Sequence, residues 1–541
     1  MSQPNAPSVV RIWLLPFSVL LGVCLTLFVL TSLADGADGQ DPLILLQLAF
    51  HPDPSSAANT LANAGEIVAA VLAIALTVVA IIVELASNRY THRITELFVS
   101  EPVNFAVMGL FVVTALQGMW VTMTFSEAGG VVPYTGIGVT MTMLTVCLLI
   151  LLPYFNFVFT YLNPLQIVLR ISSHTLAAVK HQKGGLDAAK LEAIRGIEQL
   201  ADVALNAMEH RDKGVSVAGV NALRGLVAEY QAVLEDLPDE WFDVEGVVTE
   251  NPDFLSMDPH TLDNITDRRL WLEMKVLRQY QMIYGEALNR MRDLNYVIAI
   301  NSRAMAVDAA KAGNLELLHT VLKFYNSFVR AAINAKDVRT AYNVLNHYRL
   351  LAQELLDFKD GMYSAEIARY FKYYGLLSYN TNLHFLLETV AYDLCTLTEI
   401  AADRESPVVD ELLRIFLKVD RESEDEGQDD SLRGVRKAQV KLATYFLLHD
   451  DVKRARQVYE DMLEESPDRL ASIRDELLSV LSPEYWEITD RGSNFEYVPP
   501  SRKRTLATFF SWFPNLPTKG SALVSQLPVA PGAELDVMEG E

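Results

Sequence analysis

Four long apolar runs dominate the first third of the chain. They lie near residues 10–33, 61–86, 103–124 and 133–161. Each is long enough to form a helix that crosses a hydrocarbon layer of about 30 Å. The first run exceeds the apolar core of a signal peptide and no cleavage site follows it, so we interpret it as a retained helix. The pattern predicts four transmembrane helices.

From residue 165 onward, apolar positions recur at the three- and four-residue spacing of amphipathic helices. The clearest series is Leu191, Ile194, Ile197, Leu200, Val203 and Ala207. No alternating strand pattern bounded by hairpin turns is present. The expected fold class is therefore all-α: a four-helix transmembrane domain followed by a large cytoplasmic α-helical domain with repeat-like or solenoid-like organisation.

Changes in composition divide the chain into six predicted segments. The stretch at 237–263 is rich in Pro, Asp and Glu, which is typical of a connection between domains. The segments are a four-span transmembrane domain at 1–165, a membrane-proximal helical region at 166–236, an acidic loop or linker at 237–263, a helical-repeat-like domain at 264–500, a basic-aromatic segment at 501–516 and a disordered acidic tail at 517–541.

Basic residues in the connecting segments orient the spans. Two of the connections carry them: Arg89 and Arg93 follow the second run, and Arg170, Lys180 and Lys183 follow the fourth. The other two connections contain no Lys or Arg. Because basic residues stay on the cytoplasmic side, we expect both termini and the large domain to lie in the cytoplasm.

The overall charge limits the kinds of partner. The first 165 residues contain three basic and nine acidic residues, which leaves 42 basic and 59 acidic residues in the remaining 376. The large domain therefore has a net charge of −17. Because phosphate binding needs a basic face, nucleic acid is not an expected partner.

The second run carries a stripe of small and polar residues along one helical face. Glu66 and Glu84 belong to it and are 18 residues apart, so they project in the same direction about 27 Å apart along the axis. Steps of three and four residues connect Asn63, Glu66, Ala70, Ala73, Thr77, Ala80, Glu84 and Ser87.

Two interpretations of this stripe stay open. Small residues let helix backbones approach closely in lipid, which favours a packed helix interface. Alternatively, the stripe lines an aqueous pathway on the axis of a homo-oligomer, where rings of Glu66 and Glu84 attract cations.

The end of the second run resembles a known family. It reads Leu85-Ala86-Ser87-Asn88-Arg89-Tyr90-Thr91-His92-Arg93, followed by Phe98 and by an apolar span from Phe105. Together with Gln199–Leu205 it is similar to an uncharacterised family of bacterial predicted membrane proteins, a domain of unknown function, over about residues 60–230. His210–Gly214 stands where that family has a Pro-containing loop. The resemblance implies membrane insertion and carries no established activity or catalytic residue.

Short internal similarities occur in the helical-repeat-like region. Asp451–Ala455 resembles Asp337–Ala341, and Gly313-Asn314-Leu315 is a weaker copy. Residues 439–467 are similar to a tetratricopeptide repeat, for which an ordinary helical hairpin is the alternative. Stacked helix pairs create concave surfaces that bind peptides or proteins, so the repeat interpretation predicts a docking role.

A basic-aromatic cluster lies near the C-terminus. It consists of Arg502, Lys503, Arg504, Phe509, Phe510, Trp512 and Phe513. Basic residues followed by aromatic ones suit the headgroup level of a membrane. Packing of the same rings on the helical domain or on a neighbouring subunit is the alternative.

The sequence lacks linear motifs of catalysis and cofactor binding. It contains no Gly-rich phosphate loop, nucleophile elbow, HExxH or paired-cysteine set. Cys24, Cys147 and Cys395 have neither metal-ligand nor redox spacing. We therefore expect no enzyme activity, no catalytic residues, no cofactor and no metal.

Taken together, the pattern favours a homo-oligomeric inner-membrane scaffold or receptor-like protein. Its expected partners are the lipid bilayer, further copies of the chain and a cytoplasmic protein or peptide. The alternative is an oligomeric cation channel in which the second transmembrane helix lines the pore.

Overall fold

A computed structural model describes residues 15–37, 54–91, 93–124, 132–182, 184–419, 429–485, 490–492 and 494–517. Over this part of the chain the regular elements are helices and no strand is present, which confirms the all-α fold class. The α-helices are α1 Leu15–Ala37, α2 Pro54–Arg89, α3 Arg93–Val99, α4 Pro102–Met123, α5 Tyr134–Tyr161, α6 Pro164–His181, α7 Leu186–Glu209, α8 Lys213–Gln231, α9 Pro252–Leu255, α10 Pro259–Asp267, α11 Trp271–Arg290, α12 Arg292–Lys311, α13 Leu315–Asn334, α14 Val338–Glu354, α15 Met362–Asn380, α16 His384–Asp403, α17 Val409–Phe416, α18 Asp429–Leu448, α19 Val452–Asp461, α20 Pro467–Ser479 and α21 Pro500–Phe510.

The predicted spans correspond to apolar helices. Among the described residues, three stretches are long and apolar enough to cross a membrane: Asn59–Arg89 in α2, Pro102–Met123 and Tyr134–Tyr161. The first predicted span is helical over Leu15–Ala37, and its apolar part, Pro16–Thr31, is shorter.

Contacts between residues divide the chain into two compact units. The first consists of Met1–Ala177 and Glu198–Ala222, and the second of Ala178–Ile197 and Leu223–Glu541. The first unit therefore contains most of α6 as well as the spans, and so reaches beyond the predicted boundary at residue 165. Its core forms where α2 packs on α4 and α5, and α5 also packs on α1.

The acidic stretch at 237–263, predicted as a loop or linker, is instead a packed part of the second unit. Trp241, Phe242 and Phe254 are buried within it. The Trp241 indole donates to the Tyr230 hydroxyl at 3.0 Å, and the Trp271 indole donates to the Trp241 carbonyl at 2.8 Å. Composition suggested a connection, but these aromatic residues anchor the stretch to its neighbours in the second unit.

The helices from α11 to α17 form a stacked array. Each helix from α11 to α16 packs on the next helix and on the next but one, so that α16 also packs on α18. This is the neighbour pattern of stacked helical hairpins. The array continues through α18 and α19 to α21, which packs on α18 and α20.

The internal sequence similarities mark the same turn three times. Asn314, Asp337 and Asp451 each cap a helix by accepting a hydrogen bond from the backbone N–H three residues later. In each case the residue before the cap, such as Gly313 at φ +74°, has left-handed backbone geometry. Each short similarity therefore corresponds to a turn followed by a capping residue, and a new helix of the array begins directly after it.

Candidate functional site

The small and polar stripe on α2 faces away from the helices that α2 packs against. The packed face is apolar and consists of Leu61, Ala64, Val68, Ala75, Val79 and Val83, all buried. The exposed members of the stripe are Asn63, Glu66, Ala70, Ala73, Thr77, Ala80 and Glu84, whereas Ser87 is buried. Val68 of the packed face and Ala70 of the stripe, for example, are two positions apart and therefore point about 200° apart. The stripe and the packed face thus lie on opposite sides of α2.

The exposed position of the stripe limits what it can contact. Within the described part of the first unit, no helix covers Ala70, Ala73 or Thr77. The aliphatic residues Ile74, Ile81 and Leu85 form a neighbouring exposed ridge, which suits lipid. In a bilayer the small and polar face therefore meets either lipid or a second chain.

Thr77 at the centre of the stripe satisfies its own hydroxyl. The hydroxyl group donates a hydrogen bond to the Ala73 carbonyl at 2.8 Å, one turn earlier in the same helix. Thr77, Ala70 and Ala80 therefore form a smooth surface on which no side-chain hydrogen-bond donor lacks an acceptor. Such a surface allows a second helix to approach closely in lipid.

Glu66 borders a groove between α2 and α4. The groove has a volume of about 480 Å³, and small residues such as Gly65, Ala115 and Gly118 leave the space between the two helices. A carboxylate at the edge of such a groove is a polar group that lipid chains do not satisfy.

The segment that carries the family resemblance connects α2 to α7. The side chain of Asn206 donates to the Tyr90 carbonyl at 2.7 Å, and Tyr90 itself is buried. Arg89 and Asp212 form an exposed ion pair at 3.6 Å. The residues after the stripe therefore help to hold the first unit together.

The basic-aromatic cluster lies largely inside the second unit. Phe509, Phe510 and Phe513 are buried, and the half-buried Trp512 makes an edge contact with Tyr459 at 5.7 Å between ring centroids. This arrangement corresponds to the packing alternative. In this fold the three phenylalanine rings do not present a surface to lipid.

The cations of the same cluster are also engaged. Lys503 is buried and donates to the carbonyls of Leu478 and Val480, both at 3.2 Å. Arg502 forms two hydrogen bonds with the Glu399 carboxylate, at 2.7 and 3.1 Å. Arg504 is exposed, so one cation of the three faces solvent freely.

A basic groove on the second unit was not predicted from the sequence. It has a volume of about 480 Å³ and lies between α15 and α17. Its cations are Arg369, Lys372, Arg414 and Lys418, accompanied by the exposed ring of Tyr373. The sequence shows these cations as two separate pairs, Arg369 with Lys372 and Arg414 with Lys418, in an otherwise acidic domain. The two pairs are over 40 residues apart, so the sequence alone does not show that they share one groove.

Comparison with known families supports the membrane assignment. Residues 10–215 match the family described as "Predicted membrane protein (DUF2254)". The match confirms the predicted family resemblance for this part of the chain, and it includes the stripe and the junction between α2 and α7. No curated protein and no solved structure matches the chain. The tetratricopeptide similarity near 439–467 stays a prediction.

Metal-ligand geometry is not formed in the described part of the chain. No group of three or more His, Cys, Asp or Glu side chains there could hold a metal ion.

Proposed function

We propose that the chain is a homo-oligomeric scaffold of the bacterial inner membrane, whose copies meet along the α2 stripe. The large helical domain then lies in the cytoplasm and presents a docking surface to a protein or peptide partner. The observation that carries the proposal is the outward direction of the stripe, on the side of α2 opposite its packed face.

The composition of the outward face supports contact between copies. Ala70, Ala73 and Ala80 are small, and lipid chains gain little by covering them. Two helices gain van der Waals contact when such faces meet, because their backbones approach closely. Glu66 and Glu84 lie near opposite ends of the span, where a carboxylate can reach the headgroup layer.

A pair of matched substitutions tests the interface. In Ala73→Leu the larger side chain separates facing helices, so we expect the mass of the full-length protein in mild detergent to fall toward that of a monomer. Ile74→Leu, on the neighbouring aliphatic ridge, should leave the mass unchanged. Mass photometry or light scattering gives the result. A monomeric parent protein, or equal behaviour of both variants, would refute the α2 interface.

The basic groove is the docking surface we propose for the partner. Arg369 and Arg414 both interact with Glu411 at the edge of the groove. The described lining residues of the groove include four cations and no carboxylate. An acidic peptide is complementary to it, since charge complementarity both attracts and orients a partner.

A fluorescent Glu-rich peptide tests this surface on the full-length protein. Lys418→Glu should weaken its binding about tenfold, corresponding to roughly 1.4 kcal/mol. Lys323→Glu makes the same charge change at an exposed position on α13 and should have little effect at physiological salt. Equal losses in both variants would point to nonspecific attraction and contradict docking in the groove.

A cation channel is the second candidate function. It is favoured by Glu66 and Glu84, two carboxylates on one outward face that would form charged rings around an oligomer axis. Thr77→Leu should then abolish cation flux in proteoliposomes, whereas Ile74→Leu should preserve it. Flux that is unaffected by Thr77→Leu, or absent from the parent protein, would remove the channel function and leave the scaffold.

A further inference from the structure

A polar cavity lies in the second unit between α14, α16, α18 and the residues that precede α21. Its volume is about 550 Å³, which falls within the range of small-molecule sites. Cationic side chains converge on it from four parts of the sequence: Arg349, Lys441, Arg491 and Arg502.

Two of these cations share one carboxylate. Asp393, 2% exposed, accepts from Arg491 at 2.6 Å and forms an ion pair with Arg349 at 3.2 Å through the same oxygen. Arg502 is paired with Glu399. The third carboxylate on the wall, Asp490, is bound by Arg339 from outside the cavity.

Lys441 is the cation whose charge is least compensated. Its ammonium group donates to the Phe495 carbonyl and lies 5.5 Å from the centre of the Tyr392 ring. Among the described residues, no carboxylate lies within ion-pair distance of it. Burial lowers the pKa of Lys441, although Glu399 and Glu496 favour its charged form from farther away. Burying an ammonium group without a counter-charge is unfavourable.

The wall also contains unused hydrogen-bonding atoms. Three polar atoms of the wall are buried and have no partner among the described residues: the Tyr392 hydroxyl, the Nε of Arg491 and the second carboxylate oxygen of Asp393. Burial raises the pKa of the Cys395 thiol well above its usual value, so this side chain adds no negative charge at neutral pH. The cavity therefore combines excess positive charge with spare donors.

We infer that this cavity binds a small anionic molecule through a phosphate or carboxylate group, with Lys441 and the Arg349–Arg491 pair as its cationic contacts. Oxyanions suit this set because guanidinium and ammonium groups form short, charge-assisted hydrogen bonds with them. The ring of Tyr392, stacked on Phe495 at 5.1 Å, provides an apolar wall beside these groups. The inference is independent of how copies assemble in the membrane.

Binding is tested on the full-length protein in detergent with simple probes. Inorganic phosphate and pyrophosphate represent phosphate ligands, citrate represents carboxylates, and sodium chloride matches the ionic strength. We expect at least one probe to raise the unfolding temperature with a saturable dependence and a dissociation constant of about 1 mM or lower. The responding probe identifies the ligand class. No saturable response to any of them overturns the inference.

Two substitutions locate the binding site. Lys441→Gln removes the charge but keeps a donor for the Phe495 carbonyl, and should weaken binding of the responding probe about tenfold. Asn346→Asp keeps the oxygen that accepts from Arg349 at 2.9 Å and adds a negative charge to the wall, so it should weaken binding similarly.

Lys453→Gln is the matched control, because Lys453 is exposed on α19 and does not line the cavity. Its affinity should equal that of the parent protein. Unchanged affinity in both Lys441→Gln and Asn346→Asp would show that the probe binds elsewhere and would overturn the assignment. If Lys441→Gln does not fold, Asn346→Asp alone decides, since it preserves the local hydrogen bond.

Discussion

In the first unit, threonine hydroxyls of the spans donate back to their own helices, whereas in the second unit ion pairs reach from helix to helix. Thr77 and Thr142 each donate to the carbonyl four residues earlier, at 2.8 Å. By contrast, Arg436 on α18 binds Asp461 and Glu465, both at 2.8 Å, at the end of α19 and just beyond it. The surrounding solvent accounts for the difference, because lipid supplies no hydrogen bonds and each span must satisfy its polar groups internally.

The largest expected effect comes from the buried network of the second unit. Asp393→Ala removes the carboxylate shared by Arg349 and Arg491 and leaves two buried guanidinium groups uncompensated. We expect the free energy of unfolding to fall by about 3–5 kcal/mol, measured by chemical denaturation of the full-length protein in detergent.

Asp357→Ala is the control for that prediction. Asp357 pairs with Arg404 at 2.9 Å, but both side chains are exposed, so its loss should cost less than about 1 kcal/mol. Similar effects of the two substitutions would mean that burial does not distinguish these ion pairs.

The second effect depends on pH. Burial raises the pKa of Glu273 to about 8, against the opposing hydrogen bond from Gln231. The folded protein therefore retains a proton that the unfolded chain releases at lower pH, and stability from this group decreases as pH rises toward 8. Glu273→Gln mimics the protonated form and should be more stable than the parent by about 4 kcal/mol at pH 8.5.

Thermal unfolding from pH 5.5 to 8.5 measures this effect. The advantage of Glu273→Gln should shrink steadily toward pH 5.5. Glu286→Gln, at an exposed site beside Arg290, should follow the parent curve throughout. An advantage that does not change with pH would show that titration of Glu273 is not its cause.

A smaller effect is expected at the repeated turn. Asp451 caps α19 by accepting from the backbone N–H of Arg454 at 3.1 Å. Asp451→Ala should reduce the free energy of unfolding by about 1 kcal/mol. Glu460→Ala, at an exposed position late in the same helix, should change it by less than about 0.5 kcal/mol. A reversed order would contradict the capping role.

The smallest effect is expected in the membrane. Thr77→Val removes a hydroxyl that binds its own helix, so stability and oligomer mass should change little, by less than about 0.5 kcal/mol. Denaturation and light scattering of the detergent-solubilised protein test this. A clear loss of oligomer would show that the hydroxyl also contacts a second chain, which would weaken the contrast between the two units.

Sequence reasoning was most effective where the deciding interactions are local. Apolar runs of bilayer length predicted the spans, and spacing alone placed Glu66 and Ala73 on one face of α2. The direction of that face depends on where α4 and α5 pack, which periodicity does not encode. Arg502 and Phe509 show the same limit, because their pattern suits a lipid surface and the surface of α18 equally well.

The cavity could not be predicted from the sequence for a related reason. Arg349, Asp393, Lys441 and Arg491 span more than 140 residues of sequence, and no two of them form a motif. Stacking of the hairpins brings them together. Conversely, the acidic composition at 237–263 was misleading because a few aromatic residues, Trp241 among them, outweigh many charges in deciding whether a segment packs.

The burial of Phe509, Phe510 and Phe513 has a consequence for synthesis of the protein. Because α21 packs on α18 and α20, a product that stops before Pro500 would leave an apolar face of the array uncovered. Exposed apolar surface of this kind favours aggregation. The array is therefore fully covered only once the last helix has been made.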